Sequence, residues 1–318
     1  MNRRRFLKLA GAGALAAPAV ARAQPSVKIG TAVLGSYILA GPVIAGVEKG
    51  FFRQQGLNAE FVPFRGGPDL VKAVIAGEVL VGLTGSTDIF VFREAGMPIR
   101  MTATQGEGND FVLVGPPDGL RMADLKGKSI GVTRAGAATW VFARMAARAQ
   151  GWDPDRDVTI VALGGLDAQL AALARKEIAA YVWGDYGAST EAQGRTKLVF
   201  RLDSLTPRWI SSIQYASDEQ IKKNADQIRR VTRAIFQAMG FMKAQPQEAA
   251  AVIGSKLSWA ADVVAAVHRA WTPYFPEDGR IRVENLKAMQ DALLDAGSVR
   301  KRLPLDEHYT TEFTPVRS

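Results

Sequence analysis

The stretch Asp124–Gly151, DLKGKSIGVTRAGAATWVFARMAARAQG, carries residue types suited to holding a small anion. It reads as a tight basic turn, a short buried strand over Ser129–Thr133, a glycine-bearing loop and an amphipathic helix. The loop Arg134-Ala135-Gly136-Ala137-Ala138 has no bulky side chain after the arginine, so a ligand can approach backbone amides where the helix begins. Unpaired N–H groups and the helix dipole attract negative charge there, the dipole contributing about 0.3–1 kcal/mol when exposed. Thr133 and Thr139 add hydroxyls on either side, and Arg134 is either the cation for an anion or a solvated side chain. In the helix, Phe142, Met145 and Ala149 share one face and Arg144 and Arg148 another. An ordinary strand-to-helix connection has the same composition, so the rest of the chain must decide.

Other candidates stand at strand ends. Ser86 and Thr87 follow a short strand, and each can donate to a polar ligand or cap the next helix. Tyr37 and Trp183 either stack on a ligand or complete the core. Asp185 either pairs with a ligand amine or caps a helix. Catalytic constellations are not evident: His268 and His308 are far apart in the C-terminal part, and no Ser/His/Asp order, zinc spacing or phosphate-binding loop occurs. No enzyme activity, cofactor or metal is expected on this reading.

The N-terminal sequence Asn2-Arg3-Arg4-Arg5-Phe6-Leu7-Lys8 is a twin-arginine pattern. A weakly apolar run over 9–20 follows, then the small-x-small site Ala21-Arg22-Ala23. The run is shorter than the ~20 residues a spanning helix needs. Residues 1–23 therefore read as an export signal, with a mature chain from Gln24 free in the periplasm. That segment holds five basic residues and no acid, so its removal lowers the formal net charge from +9 to +4. A balance of this size does not call for nucleic acid and modestly favours anionic ligands. With no cysteine, the fold must rest on its core alone, which a chain of this length can supply.

Along the mature chain, strands alternate with helices, the mark of an α/β layout with a mainly parallel sheet. Val27–Val33 reads as a strand, with a helix from near Pro42 to Phe52. Features then recur about one hundred residues later in the same order. Ile29-Gly30-Thr31 returns as Ile130-Gly131-Val132-Thr133, Gly56-Leu57-Asn58 as Gly151-Trp152-Asp153, and Gly66-Gly67-Pro68-Asp69 as Gly164-Gly165-Leu166-Asp167. Two similar lobes follow, with a ligand crevice where their sheet ends meet. Asn109–Gly115 and Trp209–Ala216 read as the strands that cross between them. The resulting division is 1–23 signal, 24–110 first part of lobe I, 111–208 lobe II, and 209–318 the return to lobe I with C-terminal helices backing onto it.

The chain resembles the periplasmic substrate-binding proteins of nitrate, sulfonate and taurine importers, a group that includes thiamine-precursor binders. The resemblance rests on Glu48-Lys49-Gly50-Phe51-Phe52 with Gly56-Leu57, Phe64-Arg65-Gly66-Gly67, Ala95-Gly96-Met97-Pro98-Ile99, Asp124–Val132 and Ile210–Tyr215. It implies a type II periplasmic binding protein fold, two α/β lobes joined by two hinge strands and closing on a small ligand. The partners it implies are an ABC permease and ATPase in the inner membrane, with the binding protein a monomer. By position it implies ligand contacts from Ser36, Tyr37, Gly67, Ser86, Thr87, Gln105, Asn109, Thr133, Gly136, Ala137, Thr139, Trp183 and Asp185. Leu80 and Ala179 replace aspartates frequent in the family, and the segment Tyr181–Tyr186 is unusually aromatic. The expected cargo is a small organic anion such as an aliphatic sulfonate, taurine, nitrate or bicarbonate, with an aromatic or pyrimidine ligand as the alternative. The same cleft would serve a ligand-sensing partner of a membrane receptor. Enzymes of this fold include two cysteine-dependent kinds, and this chain has no cysteine.

Overall fold

A computed structural model describes residues 24–33 and 36–316. The export signal expected over 1–23, and Leu34 and Gly35 after the first strand, lie outside the described residues. The chain begins with β1 (Ser26–Thr31), α1 (Tyr37–Glu48), α2 (Phe51–Gln54), β2 (Asn58–Pro63), α3 (Gly67–Ile75), β3 (Val81–Gly85), α4 (Thr87–Glu94) and β4 (Ile99–Glu107). A second series comprises β5 (Val112–Gly115), β6 (Ser129–Val132), α5 (Ala138–Ala149), β7 (Thr159–Ala162), α6 (Leu166–Ala174), β8 (Ala180–Trp183), α7 (Ala188–Ala192) and β9 (Lys197–Arg201). Then β10 (Ile210–Ser217) leads into α8 (Asp218–Lys223), α9 (Ala225–Ala244), α10 (Pro246–Leu257), α11 (Ala261–Trp271) and α12 (Val283–Asp295).

The strands form two five-stranded sheets, in the orders β2-β1-β3-β10-β4 and β7-β6-β8-β5-β9. The recurring sequence features become matching topology. β1 lies parallel between β2 and β3, and β6 lies parallel between β7 and β8. The repeated Ile-Gly has a packing cause. A Cβ on Gly30 would come within 2.3 Å of Leu70, and one on Gly131 within 2.7 Å of Ile178, so in each sheet a neighbouring residue presses against the bare glycine.

Each sheet is mainly parallel, as expected, with four strands running one way and one strand reversed. β10 runs antiparallel between β3 and β4, and β5 antiparallel between β8 and β9. The expected crossing strands are displaced. The chain crosses between sheets in the segments 108–111 and 202–209, while β10 belongs wholly to the first sheet.

Three further local differences have physical reasons. Pro42 lies inside α1, which begins five residues earlier behind Ser36, and left-handed Gly50 (φ 77°) separates α1 from α2. So early in the helix, proline forfeits one backbone bond and the buried surroundings of α1 hold the rest. In α5, Ala149 is exposed while Arg144 is buried, its guanidinium bonded to the Asp155 carboxylate and 4.6 Å from the Trp140 ring centre. Arg144 shares its helix face with the exposed Arg148, and its partner Asp155, eleven residues on, makes its burial tolerable. Finally, α9 and α10 pack on α1 as expected, but α11 packs on α7 of the second lobe. The C-terminal helices therefore touch both lobes.

Candidate functional site

The loops leaving the carboxyl ends of β1, β3, β6 and β8 meet across the space between the two sheets. There they surround a cavity of about 170 Å³. Parallel strands send all these loops the same way, so each lobe contributes one wall. The loops after β2 and β7, the segment leading into β5, the start of β10, and Trp271 at the end of α11 also line it.

One corner is built around Arg134. Its guanidinium reaches across the cleft to Asp88 on α4, Nη2 to Oδ1 3.4 Å. Thr84 donates to the other oxygen of Asp88 at 2.6 Å. Burial pushes the Asp88 carboxyl upward, and Arg134 and the Thr84 hydroxyl pull it back. Gly67 closes the corner: a Cβ there would lie 2.1 Å from Asp88 Oδ2. Beside it, Ala137, Ala138 and Thr139 bring the amino end of α5 into the wall, including first-turn amides that a helix leaves without internal partners. The Thr139 hydroxyl accepts the Thr133 amide at 3.0 Å and lies 2.8 Å from the Thr133 hydroxyl, which ties the strand end to the helix start.

A second corner holds two carboxylates. Asp110 and Asp185 are both buried in the cavity wall. Asp110 Oδ2 accepts the backbone N–H of Asp185 at 2.8 Å, and Asp185 Oδ1 has no hydrogen-bond partner. Burial raises Asp110 to about 6 and Asp185 to about 7, the neighbouring Asp110 charge adding to the latter. Ser189 lies near enough to oppose that rise, yet its hydroxyl makes no hydrogen bond of normal geometry. Asp185 and Tyr186 are both left-handed, with φ of 56° and 55°. Such conformations cost on the order of 1–3 kcal/mol each and gather at functional sites. Gly184 is required here, because a Cβ would sit 2.5 Å from Asp110 Oδ2.

Aromatic side chains supply the apolar wall. The Tyr37 hydroxyl lies 2.5 Å from Nδ1 of His268, fixing the ring; burial raises the phenol and lowers the imidazole. Trp183 and Trp271 also line the cavity, and Tyr186 packs against Trp271 and Tyr274 with ring centres 6.1 and 5.2 Å away.

Of the residues singled out in the sequence, Ser36, Tyr37, Gly67, Thr87, Thr133, Ala137, Thr139, Trp183 and Asp185 line this cavity. Ser86, Gln105, Asn109 and Gly136 do not. Ser86 turns inward and donates to the Ile210 carbonyl, capping no helix. Asn109 donates to Thr206 at 2.6 Å and accepts the Phe111 amide at 2.9 Å, a brace within the crossing segment. Gln105 is fully buried in β4, its amide atoms without partners. Gly136 is left-handed at φ 76° with open space where a Cβ would be, so it shapes the turn rather than the cavity. Asp185 lies just before α7, where the Gly187 and Ser189 amides pull its carboxyl downward against burial. Sequence reasoning missed Asp88, Asp110 and Trp271. Asp110 could have been found from its place beside Asn109, but Trp271 reaches the cavity only through α11.

Two mixed α/β sheets of matching order, connected twice and enclosing a cavity between their strand ends, define the periplasmic binding protein fold. The alkanesulfonate-binding protein SsuA of Xanthomonas axonopodis pv. citri, solved with MOPS bound, superposes with a TM-score of 0.74 at 18% identity, covering 90% of this chain and 98% of that one. The periplasmic nitrate-binding protein NrtA of Synechocystis PCC 6803 superposes with a TM-score of 0.64 at 13% identity, over 77% and 69% of the two chains. The sequence pattern of the NMT1/THI5-like family matches residues 40–249, and the chain belongs to that family. A Brucella abortus protein, named only as a candidate binding protein, is 26% identical over 251 residues, 78% of this chain and 76% of its own length.

Proposed function

We propose that this protein is the periplasmic solute-binding component of an ABC importer. It takes a small organic anion, a sulfonate or taurine-like molecule or else nitrate or bicarbonate, between its lobes and delivers it to an inner-membrane permease. It acts as an exported monomer whose mature chain begins at Gln24. The observation that carries this reading is the cavity between the two sheets, where Arg134 and the amino end of α5 share a wall with small hydroxyl-bearing residues. Sulfonate- and nitrate-binding proteins of the same fold support it. The aromatic wall of Tyr37, Trp183 and Trp271 favours one second reading, an aromatic or pyrimidine ligand.

A thermal-shift screen of sulfonates, taurine, nitrate, bicarbonate, aromatic carboxylates and pyrimidines separates these. Binding to the folded state alone adds about 2.7 kcal/mol at a hundredfold excess over Kd. Stabilisation by an anion supports the first reading; stabilisation by neutral sugars alone contradicts both.

A further inference from the structure

Two arginines line the cavity, and only one of them is answered by a carboxylate. Arg134 of the second lobe has Asp88. Arg65, in the loop between β2 and α3 of the first lobe, is exposed, and among the described residues no acidic side chain pairs with it. The two segments meet at one rim. A Cβ on Gly67, two residues beyond Arg65, would lie 3.0 Å from Arg134 Nη2 as well as against Asp88. The loop is seated there: the Phe64 amide donates to the Thr31 carbonyl at 2.8 Å, and Gly66 and Gly67 line the cavity beside Arg65. One carboxylate therefore stands against two cations at this rim, which leaves one positive charge over. Such a charge at the wall of a cleft raises the local concentration of anions. On the opposite wall burial lifts Asp110 to about 6 and Asp185 to about 7, so near neutral pH they oppose an anion less than ordinary carboxylates would.

We infer that Arg65 is the residue that selects for the ligand's negative charge, while Arg134 is the bridge that holds the second lobe to Asp88. This rests on the reading of the cavity as an anion site and assigns the charge selectivity of that site to one side chain. The chemistry suits the part. An arginine without a carboxylate keeps its fork of donors for an incoming oxyanion, and two parallel N–H···O bonds bind such a group more firmly than a lysine's point charge. Arg134 is already engaged, and withdrawing it would leave the Asp88 carboxylate buried with only Thr84. The exposure of Arg65 fits a place at the mouth of the cleft, where it meets the ligand as it enters.

The test is calorimetric titration of the mature protein with anions and their neutral isosteres: ethanesulfonate against ethyl methyl sulfone, and propanoate against propanamide. At least one anion is expected to bind roughly tenfold or more tighter than its isostere. Arg65→Gln should reduce that preference to about twofold, with a melting curve confirming folding, and Arg65→Lys, which keeps the charge, should retain most of it. A merely structural arginine would change both members of a pair alike and leave the preference where it was. A preference that survives Arg65→Gln, or that Arg65→Lys abolishes equally, overturns the inference and leaves the anion reading standing. No preference in the parent, or no binding of any probe, sinks the anion reading and the inference with it.

Discussion

Asp88 and Asp185 occupy corresponding places in the two lobes, each just beyond the strand that flanks the repeated first strand. Both are buried, both line the cavity, and both carboxyls are raised by burial. In each wall a glycine makes room for a carboxylate, Gly67 for Asp88 and Gly184 for Asp110. The difference lies in what answers the charge. Asp88 has an arginine from the opposite lobe and a threonine hydroxyl from its own, so its corner is closed by the protein. Asp185 has a second carboxylate beside it and no basic side chain, only Ser189 and the Gly187 amide of its own lobe. Two lobes of one topology thus differ in charge balance: one wall holds an ion pair that also ties the lobes together, and the other holds two carboxylates with no basic partner.

The largest predicted effect breaks the second corner mechanically. Gly184→Val places a branched side chain where even a Cβ lies 2.5 Å from Asp110 Oδ2. Overpacking of this kind costs about 1–3 kcal/mol. Urea denaturation should register that loss. A variant as stable as the parent would mean that Asp110 is not seated as described.

Melting temperature against pH sharpens the contrast without a ligand. Asp185 titrates near 7 when folded and near 4 when unfolded, so between those values the folded state binds more protons. Stability from this group is therefore fully present below about pH 4 and is lost as pH rises through about 7. Asparagine does not titrate. Asp185→Asn should match the parent at pH 4 and melt several degrees higher at pH 8, where the parent must carry the buried charge. A lower melting temperature than the parent at pH 8 would show that the charged carboxylate is stabilised by something in the empty cleft.

The smallest effect lies outside the cavity. Gly136→Ala forces alanine into a left-handed turn with open space around it, costing about 1 kcal/mol. Calorimetry should find affinity per folded molecule unchanged. A tenfold loss of binding would return this glycine to the ligand site.

The same contrast explains what the sequence disclosed. The recurring Ile-Gly was legible because close packing against a bare glycine recurs in each lobe, at Gly30 and at Gly131, where β1 and β6 hold matching places between parallel neighbours. The insertion of β10 between β3 and β4 was not, since its antiparallel partners lie more than a hundred residues away and leave no local period. At the site, Thr133, Ala137, Thr139 and Trp183 were readable as small or aromatic residues at strand and helix ends. Asp110 was missed for Asn109, its neighbour. In extended chain consecutive side chains point opposite ways; here Asn109 braces the crossing segment and Asp110 lines the cavity. Asp88 was hidden because only the folded cleft brings Arg134 to it.

The most direct test of the account is the charge preference, the ratio of ethyl methyl sulfone to ethanesulfonate Kd, measured by titration calorimetry in the parent, Asp88→Asn and Arg65→Gln. The charge balance of the cleft predicts that Asp88→Asn keeps the preference, with the anion bound more tightly as Arg134 is released, while Arg65→Gln loses it. Loss of the preference in Asp88→Asn with retention in Arg65→Gln would contradict the assignment of the two arginines.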